Sequence, residues 1–345
     1  MKENDIRDLE MVKDFFVKDK EWLHSYVGDD SIIKKEFTAE VCCPCCSSDQ
    51  SRLLLVKNYF RFVECTKCST VFVNPRFTQE MIDRYYKTRE ERLNYRGILT
   101  CGNNQTNRVN NIFKPRKKMI EDYFKKSGRI LSNARLLDVG CASGQFLSVF
   151  TGKNIPELYG VEASSDLAAE AKKTVKKATI IDRPFEQVVF EDNYFDIVTL
   201  WEVLEHVFDP YMFLLKIVRA LKSNGILVMS VPNIEGFDIQ ILWDKGNAFS
   251  APSHLNYFRR SSINILLERA GLIVEEIRTP GLLDVDIVRN RMNNDPEIVE
   301  RLGLFWADLF SRRDQQAEVV LGDLQSFIKR SNLSSHMVAI SKKPF

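Results

Sequence analysis

Residues 136–144 read Leu-Leu-Asp-Val-Gly-Cys-Ala-Ser-Gly. The apolar start predicts a buried strand, and the small residues after it predict a tight turn leading into a helix. In an α/β sheet such a turn is where a nucleotide-like ligand rests. Gly140 and Gly144 let the backbone approach that ligand closely. Asp138 sets the ligand's charge. A carboxylate facing a pyrophosphate would bring two like charges together in a poorly solvated crevice. A cationic ligand suits it better, and S-adenosylmethionine, with a sulfonium and an ammonium, is one.

The surrounding pattern fits that turn. From about residue 130, short apolar strands at 135–139, 158–162, 179–182, 195–200 and 226–231 alternate with helices. Asp209-Pro210 marks a helix start, with the acid as cap and proline in the first turn. Leu214, Leu215, Val218 and Leu221 then recur at helical period. A helix over 261–270 closes at Gly271, and late strands follow at 272–279 and 336–341. This alternation predicts a mostly parallel sheet covered on both faces. Glu162 ends the second strand, where an acid accepts both hydroxyls of a ribose.

Of the 345 residues, 44% are apolar and 28% charged, as in an ordinary globular protein. No apolar run approaches the roughly 20 residues that cross a bilayer. The first residues lack a signal-peptide core, so a cytoplasmic location is the expectation. The net charge of +2 hides an asymmetry, because residues 42–130 hold 18 Lys/Arg against 8 Asp/Glu. Such an excess suits an anionic substrate: a nucleotide-sugar, a phospholipid or RNA.

Four segments are expected. Residues 1–41 form a helical extension carrying Trp22, Leu23 and Tyr26, and 42–75 a cysteine segment. Residues 76–130 form a helical connector or substrate lid, with a polar loop over 97–111. Residues 131–345 form the main domain, with a helical insertion at about 283–332. Six of the eight cysteines fall within 42–68. In a reducing compartment that clustering points to metal and not to disulfides. Cys43 and Cys46, then Cys65 and Cys68, form two CxxC pairs that complete a tetrahedral, structural zinc site with no open position. Cys42 and Cys45 offer a second frame for the first pair. Pro44, directly after Cys43, favours the first.

The motifs LLDVGCASG (136–144), YGVEAS (159–164), FDIVTLWEVLEHV (195–207) and LKSNGILVMSVPN (221–233) occur in the order and spacing of class I S-adenosylmethionine-dependent methyltransferases. The chain resembles that superfamily, and most of all its ubiquinone-pathway and sugar or glycan methyltransferase branch. The resemblance implies a Rossmann-like, seven-stranded α/β sheet, mostly parallel with one antiparallel edge strand. It implies that Gly140, Cys141, Ala142, Ser143 and Gly144 cradle the methionyl part of the cofactor, below Asp138. Glu162, with Ala163 beside it, holds the ribose. Phe185 and Glu186 lie near the adenine, and Trp201 and Glu202 border the methionine moiety. Ala142-Ser143 stands where a second glycine is frequent, a change that is conservative in size. The segment from Cys65 through VFVNPRF (71–77) to Tyr85-Tyr86 is similar to an N-terminal zinc ribbon found on many glycan-cluster and sugar methyltransferases.

Methyl transfer needs an aligned nucleophile, exclusion of water and often removal of a proton. Of the four histidines, His254 lies in a loop after the fifth strand, where ligands bind in such sheets. It is the candidate general base. His206 is a second candidate, and Asn233 and Tyr257 are expected substrate contacts. The leading expectation is transfer to a small molecule or glycan precursor, at oxygen or carbon. An RNA methyltransferase and a non-catalytic cofactor-binding protein are the alternatives.

Overall fold

The computed structural model describes residues 2–5, 8–92, 104–152, 155–292 and 295–345. Strands are numbered along the chain. The first five are β1 (Thr38–Ala39), β2 (Ser51–Lys57), β3 (Phe60–Cys65), β4 (Val71–Val73) and β5 (Arg76–Phe77). Then come β6 (Arg135–Val139), β7 (Glu157–Glu162), β8 (Thr179–Asp182), β9 (Phe195–Trp201) and β10 (Leu221–Pro232). The last three are β11 (Asn256–Tyr257), β12 (Ile273–Arg278) and β13 (His336–Lys342). The chain divides into two compact units. One comprises Met1–Cys101, Pro232–Ile263 and Arg278–Met337, and the other Gly102–Val231, Asn264–Ile277 and Val338–Phe345. This division cuts across the expected boundaries at 41, 75 and 130. No described helix is long and apolar enough to cross a membrane.

The second unit is built on a seven-stranded sheet of order β12-β13-β10-β9-β6-β7-β8. Strands β10, β9, β6, β7 and β8 pair in parallel. Strand β13 runs antiparallel to β10. Its far end accepts the Asn224 N–H at Lys343, and its near end accepts the Asn233 N–H at Ser335. The sheet is therefore mostly parallel, and its antiparallel strand lies one in from the edge. Leu136, Leu137 and Val139 are buried because β6 is covered on both faces. Strand order reverses between β6 and β9, so a crevice opens at the carboxyl ends of those strands. Helix Lys114–Lys126 lays Ile120 and Phe124 into a core with Leu136, Ile197 and Val228. Asp209 caps helix Pro210–Ala220 by accepting the Tyr211 and Met212 amides, with proline in its first turn.

Two expectations fail here. The turn after Gly144 leads only into a 3-10 turn at Leu147–Val149 and not into an α-helix. Gly152, with a positive φ of 101°, ends the segment that follows. The polar stretch expected as a loop is helical where it is described. Asn104–Arg108 is α-helix and Val109–Phe113 a π turn, continuous with Lys114–Lys126. The asparagines bond along the helix: Asn111 donates to the Asn107 carbonyl, and Asn110 accepts from Lys114. Phe113 enters the core and fixes the segment. Residues 97–103 of that expected loop lie outside the described residues.

In the first unit, helix Leu9–His24 is capped by Asp8 and packs Trp22 against Tyr85, with ring centres 5.5 Å apart. Strands β2, β3, β4 and β11 form an antiparallel sheet in the order β11-β4-β3-β2. Helices Asp284–Met292, Pro296–Leu302, Leu304–Ser311 and Gln315–Arg330 bury Val288, Ile298, Phe310 and Leu321 in a second core.

Candidate functional site

The turn after β6 has the backbone its sequence demands. Gly140, Ala142 and Gly144 adopt φ of 74°, 46° and 77°, a region that favours residues with little or no side chain. A Cβ on Gly140 would stand 2.7 Å from Val203 Cγ2. Cys141 is buried, and its Sγ lies against Gly160 of β7, where a Cβ would come within 2.8 Å of it. Burial pushes this thiol up, so Cys141 is a small filler that lets the turn sit on β7 and not a nucleophile. Ser143 is buried in the same turn.

Glu162 closes the turn from β7. Its two carboxylate oxygens accept the Ala142 N–H at 2.8 Å and the Ser164 N–H at 2.9 Å. A carboxylate offers about four acceptor sites, so an oxygen that takes an amide can also take a ribose hydroxyl. Ala163 is exposed beside it. Asp138 lies opposite Thr199 in the β6–β9 register and accepts its hydroxyl at 2.6 Å. It is 1% exposed, and burial pushes its carboxyl up to about 7 against the Thr199 bond and the Arg116 charge.

Arg116 stands nearby on helix Lys114–Lys126. Its guanidinium stacks 4.2 Å from the centre of the Trp201 ring and donates to Ser230 Oγ at 3.2 Å. Ser230 in turn donates to Glu202 at 2.6 Å. Glu202 holds a left-handed φ of 57°, which is uncommon off glycine and typical of functional sites. Glu205 is 1% exposed, and burial together with the Glu202 charge pushes its carboxyl well up. His206 follows in the same 3-10 turn, with Nε2 3.9 Å from Glu205.

Phe185 follows β8 in the segment expected near the adenine. It is buried among Phe190 and Phe213, with centres 6.2 and 4.7 Å away. Glu186 beside it is exposed, and its carbonyl accepts Lys216 at 2.7 Å. Only exposed atoms of this segment are left to meet an adenine.

In the first unit, the ligand atoms of Cys43, Cys46, Cys65 and Cys68 all lie within 4.8 Å of one another. The closest pairs are Cys43 with Cys68 at 3.4 Å and Cys46 with Cys65 at 3.5 Å. Tetrahedral zinc with bonds of about 2.3 Å places sulfurs about 3.8 Å apart, so this donor set fits that ion. The Cys68 thiol is lowered to about 4, first by its bond to Cys43, while Cys43 is pushed up. A metal at this site would be held by the thiolate forms. Cys42 is exposed outside the group, and Cys45 is buried beside Thr70 and Ser262.

His254 occupies a loop of the same unit. Tyr257 shapes that loop, its hydroxyl accepting the Ser250 N–H and donating to the His254 carbonyl, both at 3.1 Å. Tyr257 is 3% exposed, so it positions the loop and is not a substrate contact. Asn233 is also corrected. It is fully buried, with its amide nitrogen on the Ser334 carbonyl and its oxygen accepting the Glu235 N–H.

A family profile described as "Methyltransferase domain" matches residues 112–277. A ubiquinone biosynthesis O-methyltransferase of Rhodopseudomonas palustris (strain HaA2) is 30% identical over 187 residues, covering 48% of this chain and 72% of the relative. This chain belongs to the class I S-adenosylmethionine-dependent methyltransferases. A relative of the same description from Bradyrhizobium sp. (strain ORS 278) is 28% identical over 184 residues, covering 48% of this methyltransferase and 72% of the relative. A solved S-adenosylmethionine-dependent methyltransferase from Archaeoglobus fulgidus is 17% identical, with a TM-score of 0.41, covering 66% of this chain and 94% of that one.

Three side chains of this methyltransferase's donor half carry no mark in the sequence: Arg116, Thr199 and Ser230. Thr199 and Ser230 become visible only through strand register. Arg116 lies 22 residues before Asp138, within the basic segment, and nothing local distinguishes it from its lysine neighbours.

Proposed function

We propose that this methyltransferase transfers its methyl group to an oxygen of a small anionic molecule or glycan precursor, with His254 taking the proton. The observation that carries the reading is the match, over the donor-binding half, to relatives named O-methyltransferases. When bound, S-adenosylmethionine supplies a methyl on a sulfonium, activated toward in-line attack. The chain's residues do the rest. Glu162 orients the ribose hydroxyls, the Gly140–Gly144 turn admits the methionyl backbone, and Trp201 with Glu202 borders it. Cys43, Cys46, Cys65 and Cys68 hold a structural zinc, which their mutual distances support. His254 sits in a loop whose carbonyl is fixed by Tyr257, an arrangement suited to holding a base in place.

The test is a panel of hydroxylated acids, nucleotide-sugars and quinone precursors, scored by formation of S-adenosylhomocysteine. Turnover on one class identifies the acceptor, and the position of the methyl separates oxygen from carbon transfer. His254→Ala should then lower kcat by about 10²- to 10⁴-fold, the usual share of a general base. Unchanged turnover in that variant removes His254 from the role.

A further inference from the structure

We propose that Trp243 is the platform on which the methyl acceptor lays a sugar ring. The backbone at this residue takes a shape that its side chain disfavours. Trp243 ends helix Phe237–Leu242 with φ 46° and ψ −118°. Glycine is the rule in that region, and a bulky residue there is an outlier. Yet the position carries the largest side chain of all. Its neighbours hold it in place. Arg301 donates to the Leu242 carbonyl at 3.0 Å and to Asp244 at 2.8 Å. The Gly246 N–H donates to the Trp243 carbonyl at 3.2 Å, and Lys57 donates to the Gly246 carbonyl. Strain that is held by so many contacts recurs at ligand clamps and active sites.

The indole is half-buried. Its ring meets Phe249 edge-on, with centres 5.1 Å apart, and Phe249 lies 5.3 Å from Tyr257. Phe62 flanks both, at 5.3 and 5.5 Å. Tyr257 in turn fixes the His254 loop through the His254 carbonyl and the Ser250 amide. The indole and the candidate base thus belong to one aromatic stack within one compact unit. A ring resting on Trp243 would be carried by the stack that carries His254. Charged groups beside Trp243 select the kind of ring. Asp244 pairs with Arg301, and Lys245 pairs with Glu297 at 2.7 Å. An apolar ring would desolvate these groups and offer them no hydrogen bond. A pyranose presents C–H groups to the indole face and hydroxyls to its polar neighbours. An aromatic wall with a few placed polar groups is how small ligands are oriented.

The proposal rests on the methyltransferase reading and names the acceptor's chemistry. Ligand-observed NMR titration of the full chain, with and without S-adenosylhomocysteine, tests it. The probes are the methyl glycosides of glucose, galactose, mannose and N-acetylglucosamine, with catechol as the aromatic ring. At least one glycoside should bind, and more tightly than catechol. Trp243→Gly suits the backbone and removes the platform, so it should weaken that glycoside at least tenfold. Trp243→Phe keeps a ring against Phe249 but offers a smaller face, and should weaken it at least threefold. This second variant decides the matter if Trp243→Gly does not fold. Trp306→Ala removes an exposed indole of the same unit and should leave the affinity unchanged. Binding of no glycoside, catechol bound as tightly as the best of them, equal affinity in a folded Trp243 variant, or equal loss in Trp306→Ala overturns the platform. Failure of S-adenosylhomocysteine itself to bind strikes the donor reading instead, and the titration without it still judges the platform.

Discussion

Asp138 and Glu162 are both acids at strand ends, yet their surroundings give them different work. Glu162 accepts two turn amides, so its charge is already solvated by the backbone. Glu162→Gln should weaken donor binding at least tenfold by calorimetry, because a carboxamide accepts with one oxygen where the carboxylate accepts with two. Retained affinity would detach Glu162 from the ribose. Asp138 is buried and titrates near 7, so its charge appears as pH rises through that value. Affinity for the cationic donor should therefore increase from pH 6 to pH 8 and flatten in Asp138→Asn. A flat wild-type profile would remove the charge of Asp138 from donor binding. Both residues are legible in the sequence because each stands at a fixed offset from a glycine turn. Arg116 is not, since its place depends on stacking against Trp201, which no residue pattern announces.

Asp238 and Asp284 show the same physics in the other unit. Asp284 accepts from Ser334, Gln325 and the Ser335 amide. Asp238 is buried beside it, and burial with the Asp284 charge pushes it up to about 7. Unfolded, it would ionise near 4. Between about pH 4 and 7 the folded chain therefore holds a proton that the unfolded chain has lost, and stability falls as pH rises through that window. Asp238→Asn keeps a neutral group there. Its thermal midpoint should exceed that of the wild type at pH 8 and vary less between pH 5 and 8. Parallel pH curves for the two proteins would refute the assignment.

At the scale of elements, the cysteine turns and the His254 loop are one construction. Strand β11 pairs with β4, placing Asn256 opposite Phe72 and Tyr257 opposite Val71. Arg76, 1% exposed, donates to the Leu255 carbonyl and to Asn256. Arg259 joins the Ser69 carbonyl, next to Cys68, to Glu64 of β3. If zinc organises the cysteine turns, its removal should loosen the loop that carries His254. Chelation should release one zinc per chain and raise hydrogen exchange at residues 250–258 together with 42–73. Unchanged protection at 250–258 would separate the two. The CxxC pairs were readable because ligand spacing is local. The fourth strand of this sheet was not, since two residues with long-range pairing leave no periodic trace. The loop expected before Phe113 failed for a related reason. Local composition proposed one state, and the burial of Phe113 imposed another.

The whole chain carries a net charge of +2, and its basic excess is less available than the sequence suggests. That excess falls on both compact units, which divide after Cys101. Arg76 and Arg116 are buried. Arg52 pairs with Glu64 and Arg129 with Asp196, while Lys117 and Lys118 face acids one turn along their own helix. These partners do not make the fold markedly more stable, since exposed pairs contribute little, but they cancel field that an RNA backbone would need. A protein making 6–10 phosphate contacts loses about 10³- to 10⁵-fold in affinity between 50 and 200 mM salt. This methyltransferase should bind a homopolymeric RNA negligibly at 150 mM NaCl, and its turnover on the acceptor found by the panel should change less than about threefold across that range. Only the few local contacts to a small anion would then feel the salt, and partly buried contacts are weakly screened. A steep salt dependence, with RNA retained at physiological ionic strength, would move the acceptor from a small anion to a polymer.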